Sequence, residues 1–144
     1  MAAVLEQPTS TPRRQTTVVV ARDPNALADL VLRIVFLAGG RVKSWALEPA
    51  ALVLVRAGIL DGTGLTFGSD YDLSVRSREI CRGFTRAVDS FRLSANLSEM
   101  WLSDSTAESL AAEIDEEAVE RARELVDLPR TELERIGRHL LFAE

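Results

Sequence analysis

The sequence has very few of the residues that most often build reactive sites. Its 144 residues include one cysteine, Cys81, one histidine, His139, and one lysine, Lys43. A single cysteine cannot form an intramolecular disulfide, and one cysteine with one histidine cannot supply the ligands of a zinc site. We therefore expect a cytoplasmic, reducing environment, no bound metal and no cofactor.

Long hydrophobic runs are also absent. No apolar stretch approaches the ~18 residues of a membrane-spanning helix, and residues 1–6 lack the basic and apolar regions of a secretion signal. We therefore expect no membrane partner. Hydrophobic residues make up 47% and charged residues 27% of the chain, which is ordinary for a globular protein. The length favours a single core.

Charge is unevenly distributed along the chain. The net charge of −5 disfavours nucleic acid as a partner for the chain as a whole. Arg78, Arg82 and Arg86 nevertheless recur at steps of four, whereas residues 103–127 contain nine acidic side chains. This pattern predicts pairing between a basic and an acidic helix, within the chain or between subunits. A solvated face and contact with nucleic-acid phosphates are the alternatives.

The first half of the chain predicts alternating elements. Residues 1–15 are expected to form a flexible arm, and the β-branched run at 16–21 predicts a strand. A helix is expected over 24–38, started by Asp23 and Pro24 and ended by two glycines. A strand is expected over 41–47. Residues 51–60 are apolar apart from Arg56, so their periodicity does not separate a buried strand, which the valines favour, from a short helix.

The second half predicts a helix over 76–91, strand structure over 93–102, and then two helices. Capping boxes begin at Ser105 and Thr131. A narrow, alanine-rich stripe follows the first of them and suits either a partner helix or packing on the sheet. We therefore predict a partner interface that contains Arg78, Arg82, Arg86, Leu110, Ile114, Ala118 and Leu125.

The predicted element order is that of an α+β, ferredoxin-like βαββαβ sandwich with a C-terminal helical extension. If residues 51–60 are helical instead, the chain becomes mostly α. The expected organisation is an arm at 1–15, an α+β domain at 16–102, and a C-terminal helical pair at 103–144 that packs on the domain or on a partner.

Residues 16–48 carry a resemblance to a known family. The run Val18–Val20, the turn from Asp23 into the following helix, and Gly39 before the next strand resemble an ACT domain of the acetolactate synthase regulatory type. The resemblance implies a regulatory module that binds an amino acid or another small effector at Asp23, Asn25 and Ala26. Asn25 is a departure, because the family usually has glycine there.

No catalytic constellation is recognisable in the sequence. Cys81 is more typical of a small core residue than of a nucleophile, although its flanking arginines could lower its pKa. The leading expectation is a non-enzymatic regulatory or assembly subunit that acts by protein–protein interaction, as a homo-oligomer or with a larger partner. The alternatives are an ACT-like effector-binding domain and a nucleic-acid-associated structural protein.

Overall fold

A computed structural model describes residues 23–142. The predicted arm and the predicted strand at 16–21 therefore lie outside the described residues. The elements, in chain order, are α1 (Pro24–Leu37), β1 (Arg41–Lys43), a 3-10 turn (Ser44–Ala46), α2 (Leu47–Arg56), β2 (Gly68–Ser69), β3 (Val75–Arg76), α3 (Arg78–Asp89), β4 (Leu93–Ala95), β5 (Glu99–Leu102), α4 (Asp104–Glu113), α5 (Glu116–Val126) and α6 (Arg130–Phe142).

Helix α1 begins and ends as the sequence predicts. The carboxylate of Asp23 accepts hydrogen bonds from the backbone N–H groups of Asn25 and Ala26, and Pro24 occupies the first turn. The helix ends before Gly39 and Gly40, whose φ angles of 110° and 88° are conformations that glycine adopts easily. Seven side chains of α1 are buried, so this helix lies at the centre of the core.

The larger sheet contains three short antiparallel strands in the order β1-β5-β4. Val42 lies opposite Met100, and both side chains are buried. Strands β4 and β5 form a hairpin in which Leu93 lies opposite Leu102. A second, two-stranded sheet joins β2 and β3. The alternation predicted from residue 41 is thus confirmed, but the strand ends at Lys43 instead of continuing to residue 47.

Residues 47–56 form helix α2, so the preference for a strand at 51–60 was wrong. Every side chain from Leu47 to Leu54 is buried, which explains why no helical periodicity was visible. Pro49 lies in the first turn of the helix, where its missing N–H group costs no hydrogen bond. Glu48 in the first turn and Arg56 in the last both have the charge that the helix dipole favours.

The protein has the α+β class that the sequence predicts, but the described residues do not confirm a ferredoxin-like arrangement. Between residues 23 and 102 the order is helix, strand, helix, two very short strands, helix and hairpin. The segment expected to be a central strand is helical, and most of the described residues are in helices. None of the helices described between residues 23 and 142 is long and apolar enough to cross a bilayer.

Three helices, and not the expected pair, follow the sheet. The predicted continuous helix over 105–126 is interrupted at Ile114, whose backbone is extended, and Asp115 then begins α5. The acidic first turn of α5, Glu116 and Glu117, is stabilised by a helix N-terminus and so favours a new start there. Helix α6 packs mainly on α2, while α4 and α5 contact α1.

Helices α1 and α3 form the most extensive contact between two elements of the described chain. Gly83 lies at this contact, where a Cβ atom would collide with the backbone carbonyl oxygen of Leu27 and approach Val31. A backbone carbonyl of a buried helix cannot move aside without displacing that helix. The glycine therefore permits the separation at which the two helices pack.

We expect Gly83→Ala to lower the free energy of unfolding by about 1–3 kcal/mol or more, because overpacking outweighs the helix propensity that alanine adds. Urea denaturation followed by circular dichroism measures the change. Gly68→Ala is the matched control, since a Cβ there would meet nothing within 4 Å. Equal stability of the two variants would contradict the close contact.

Candidate functional site

The N-terminus of α3 is attached to α2 by a buried carboxylate. Glu48 accepts a hydrogen bond of 2.7 Å from the backbone N–H of Ser77, the N-cap residue of α3. Its other oxygen lies 3.0 Å from Nη1 of Arg76, which also forms an ion pair with Asp70. The side chain of Glu48 is only 8% exposed, so this arrangement fixes where α3 begins relative to α2.

A second carboxylate, that of Glu79 on α3, also points inward. Glu79 is buried, and it accepts hydrogen bonds from the backbone N–H and the hydroxyl group of Thr66 and from the hydroxyl group of Ser77. Burial raises the pKa of Glu79, but these hydrogen bonds outweigh it and leave the pKa below its ordinary value. The charge of Glu79 is therefore satisfied inside the protein and does not offset the arginines of α3 at the surface.

The exposed side of α3 carries the predicted arginines. We call the residues Arg78, Cys81, Arg82, Thr85 and Arg86 the α3 face, because all five are exposed on one side of the helix. Together with Pro24 of α1 and Asp89 they line a shallow groove of about 440 Å³. Nε of Arg86 donates a 2.9 Å hydrogen bond to Oδ1 of Asn25. Arg78 and Arg82 form no ion pair or hydrogen bond with another described residue.

Cys81 lies in the middle of this face. Burial raises the pKa of the thiol, and the nearby carboxylate of Glu48, 3.6 Å from Sγ, raises it further, whereas Arg76 lowers it only in part. The surroundings of Cys81 thus raise its pKa and do not lower it, and the leading expectation of a small core residue is wrong because Cys81 is exposed. Because thiolate is the reactive form, this environment disfavours a nucleophilic role.

The residues predicted to bind an effector lie at the start of α1, close to the α3 face. Asp23 caps the helix, and the half-buried Ala26 donates its N–H to that carboxylate. Asn25 holds Arg86. Oδ1 of Asp23 and Oδ1 of Asn25 therefore have partners within the protein, and only Asn25 takes part in positioning an arginine.

The apolar residues predicted for the interface do not join the arginines in one surface. Leu110 is buried in the core, Ile114 and Leu125 are half-buried against it, and Ala118 is half-buried on α5. The break at Ile114 divides them between α4 and α5. No ion pair between described residues connects α3 with the acidic side chains of 104–127, so the predicted pairing within the chain is not found there.

A second groove of about 370 Å³ lies between α1 and α4. It contains two arginines, but Arg33 forms an ion pair with Glu113 and Arg92 lies 2.8 Å from Asp29. Their charges are thus largely balanced within the groove. The α3 face, where Arg78 and Arg82 have no such partner among residues 23–142, is the stronger candidate for binding an external group.

Residues 23–142 contain no group of three or more histidine, cysteine, aspartate or glutamate side chains placed to hold a metal ion. His139 is exposed on α6. Comparisons of the chain with protein-family models, curated proteins and solved structures found no match. The resemblance to ACT domains therefore stays a prediction, and the α3 face is the feature of the described residues that bears most directly on function.

Sequence reasoning identified the arginines of this site but not the residues that position them. Neither Glu48 nor Glu79 was predicted from the sequence to position α3. Neither position carries a periodic or motif signal, because each finds its partners on a distant segment. In the structure, the hydroxyl group of Ser77 accepts a hydrogen bond from the N–H of Ile80 and caps α3, which begins two residues after the predicted start at 76.

We expect Glu48→Gln to lower the free energy of unfolding by about 1.5–3 kcal/mol, the range for hydrogen bonds to a charged group. The amide keeps the shape of the side chain but loses the ion pair with Arg76. Thermal and urea denaturation measure the change. Glu132→Gln, which removes an exposed ion pair with Arg135, is the matched control and is expected to change stability far less. Equal losses in both variants would contradict the anchoring role of Glu48.

The lowered pKa of Glu79 predicts a pH dependence of stability. A carboxylate whose folded pKa lies below its unfolded value of about 4.3 stabilises the fold above that value, and this contribution is lost as the pH falls through the folded pKa. The difference in unfolding free energy between the wild type and Glu79→Gln should therefore shrink as the pH falls from 7 towards 3. Glu120→Gln on α5 controls for the loss of one charge, and parallel curves for Glu79→Gln would contradict the prediction.

Proposed function

We propose that the protein is a non-enzymatic binding module that recognises a polyanionic partner through the α3 face. The observation that carries the proposal is the solvent-exposed pair Arg78 and Arg82, which have no anionic partner among the described residues. Arg86 extends the same row and is held in place by Asn25. Guanidinium groups are the side chains best suited to bind carboxylates and phosphates in a fixed geometry.

The interior of the protein supports this reading of the surface. The helix that carries the arginines is fixed at its start by Glu48 and along its length by the close contact at Gly83. Binding therefore requires little ordering of the backbone, which lowers the entropic cost of association. The raised pKa of Cys81 is a further reason to favour binding over catalysis at this surface.

A regulatory or assembly role fits this proposal, because such a role consists of binding another macromolecule. An acidic protein surface and a nucleic acid both present anions that the α3 face could bind. The acidic helices α4 and α5 of a second copy are one such surface, because Glu108, Glu117, Glu120 and Glu124 are exposed and make no ion pair with described residues. No contact in the structure specifically favours a small effector at Asp23, Asn25 and Ala26.

The charge-reversed variant Arg78→Glu/Arg82→Glu tests the proposal. We expect the wild type to bind a heparin column at low salt and the variant to elute at a clearly lower salt concentration. The affinity of the variant for heparin should be at least about tenfold weaker, because two cationic contacts become repulsive. Arg121→Glu/Arg123→Glu on α5 is the control of identical charge change and should elute close to the wild type. Equal effects of the two double variants would show that net charge, and not the α3 face, governs binding.

A further inference from the structure

We infer that the polyanion is double-stranded DNA, against which α3 lies with its arginine row on the phosphates. This inference rests on the proposed function and adds the chemical class of the partner. It departs from the expectation drawn from the net charge of −5, because that figure averages the α3 face with the acidic C-terminal helices. A local basic surface, and not the average, determines the contact with phosphate.

The dimensions of the row match a duplex. Arg78, Arg82 and Arg86 are spaced by four residues, so they advance by about 6 Å per step along the helix axis. Successive phosphates of one DNA strand advance by about 3.4 Å along the duplex axis, and the winding of the strand makes their separation in space larger than that, so arginines about 6 Å apart can reach successive phosphates. An α-helix with its side chains is about 10–12 Å wide, close to the major-groove width of about 12 Å. One exposed helix therefore reaches both the phosphates and the base edges.

The centre of the α3 face allows such an approach. Cys81 and Thr85 are small and exposed, so no bulky side chain holds the helix away from a groove. The hydroxyl group of Thr85 bonds to the carbonyl oxygen of Cys81, and its methyl group is left for apolar contact of the kind made with thymine. Phosphates would then position the helix, and Cys81 and Thr85 would lie nearest to the bases.

The entry of the chain into α1 adds a second observation. Pro24 lines the same groove as the arginines, so the preceding segment joins the fold at the edge of the α3 face. In sequence, residues 1–22 contain Arg13, Arg14 and Arg22 against a single acid, Glu6. In sequence, the segment that leads to Pro24 is therefore net positive, unlike the acidic C-terminal helices.

The energetics favour DNA over an acidic protein surface. Exposed ion pairs with carboxylates contribute about 0.2–1 kcal/mol each, and the α3 face contains no tryptophan or tyrosine to serve as an apolar anchor. Three such pairs alone do not sustain a stable protein complex. Three phosphate contacts, in contrast, also release condensed counterions, so binding strengthens steeply as salt is lowered.

Fluorescence anisotropy with a labelled 20-base-pair duplex and the full chain tests the inference. For three phosphate contacts we expect the affinity to fall about 40-fold between 50 and 200 mM salt, since the slope of log K against log salt is about −0.9 per contact. Arg78→Ala/Arg82→Ala should reduce that fall to about 3.5-fold and weaken binding at 50 mM. Arg121→Ala/Arg123→Ala should retain the wild-type slope. Circular dichroism verifies that each variant is folded.

The single cysteine provides an independent readout. Duplex DNA laid along α3 should protect Cys81 of the wild type from alkylation by N-ethylmaleimide, with a protection that disappears at high salt. The same duplex should give no protection in Arg78→Ala/Arg82→Ala. If Arg78→Ala/Arg82→Ala loses duplex binding in the anisotropy assay but the duplex does not slow alkylation of Cys81 in the wild type, the DNA lies elsewhere and the inference is overturned.

Two further probes separate the failure of this inference from the failure of the proposed function. Binding to heparin and to poly-glutamate through the α3 face, with no binding to duplex DNA at 50 mM salt, would overturn DNA and leave the proposed function intact. Binding to none of the three would overturn both. If single-stranded DNA of the same length binds as tightly as the duplex, the placement of α3 in a groove is overturned. If the protein self-associates with increasing concentration and Arg78→Ala/Arg82→Ala abolishes this, the α3 face binds a second copy and not DNA.

Discussion

The close contact between α1 and α3 is the constraint on which the remaining structure depends. Helix α1 is buried along most of its length, and Gly83 lets α3 approach its backbone at Leu27. The larger sheet and helices α4 and α5 also contact α1, while α6 packs on α2. The inner side of α3 is thereby occupied, which leaves its opposite side, with the arginines, facing solvent.

The carboxylates around α3 explain why that exposed side is basic. Glu48 and Glu79 lie next to α3, yet each is buried and hydrogen-bonded to backbone or hydroxyl groups of other segments. Buried carboxylates need such partners, because an unpaired charge in the interior is strongly unfavourable. By turning inward they stabilise the start of α3, and Asp89 is the one acid among the described residues that lines the groove. Stability and surface charge thus arise from the same arrangement.

Local sequence signals predicted the helices that have recognisable capping residues or apolar spacing. Helix α1 was recognisable from Asp23, Pro24 and the two glycines, and α3 from its apolar spacing. Phe91, the last residue of the predicted helix over 76–91, is instead 87% exposed beyond the end of α3. Helix α2 could not be recognised, because the burial of every side chain from Leu47 to Leu54 leaves no alternation of exposed and buried positions to reveal a helical period. The break between α4 and α5 was likewise hidden within an unbroken alanine-rich pattern.

The α+β class, the bounds of α1 and the row of arginines at steps of four could all be predicted from the sequence, since they depend on residues close together in the chain. Which charged side chains remain unpaired became visible only in the folded protein. Pairing of Arg76 with Glu48, of Arg92 with Asp29 and of Arg33 with Glu113 joins segments distant in sequence. Charge neutralisation depends on distances of a few ångströms in space, which spacing along the chain does not specify.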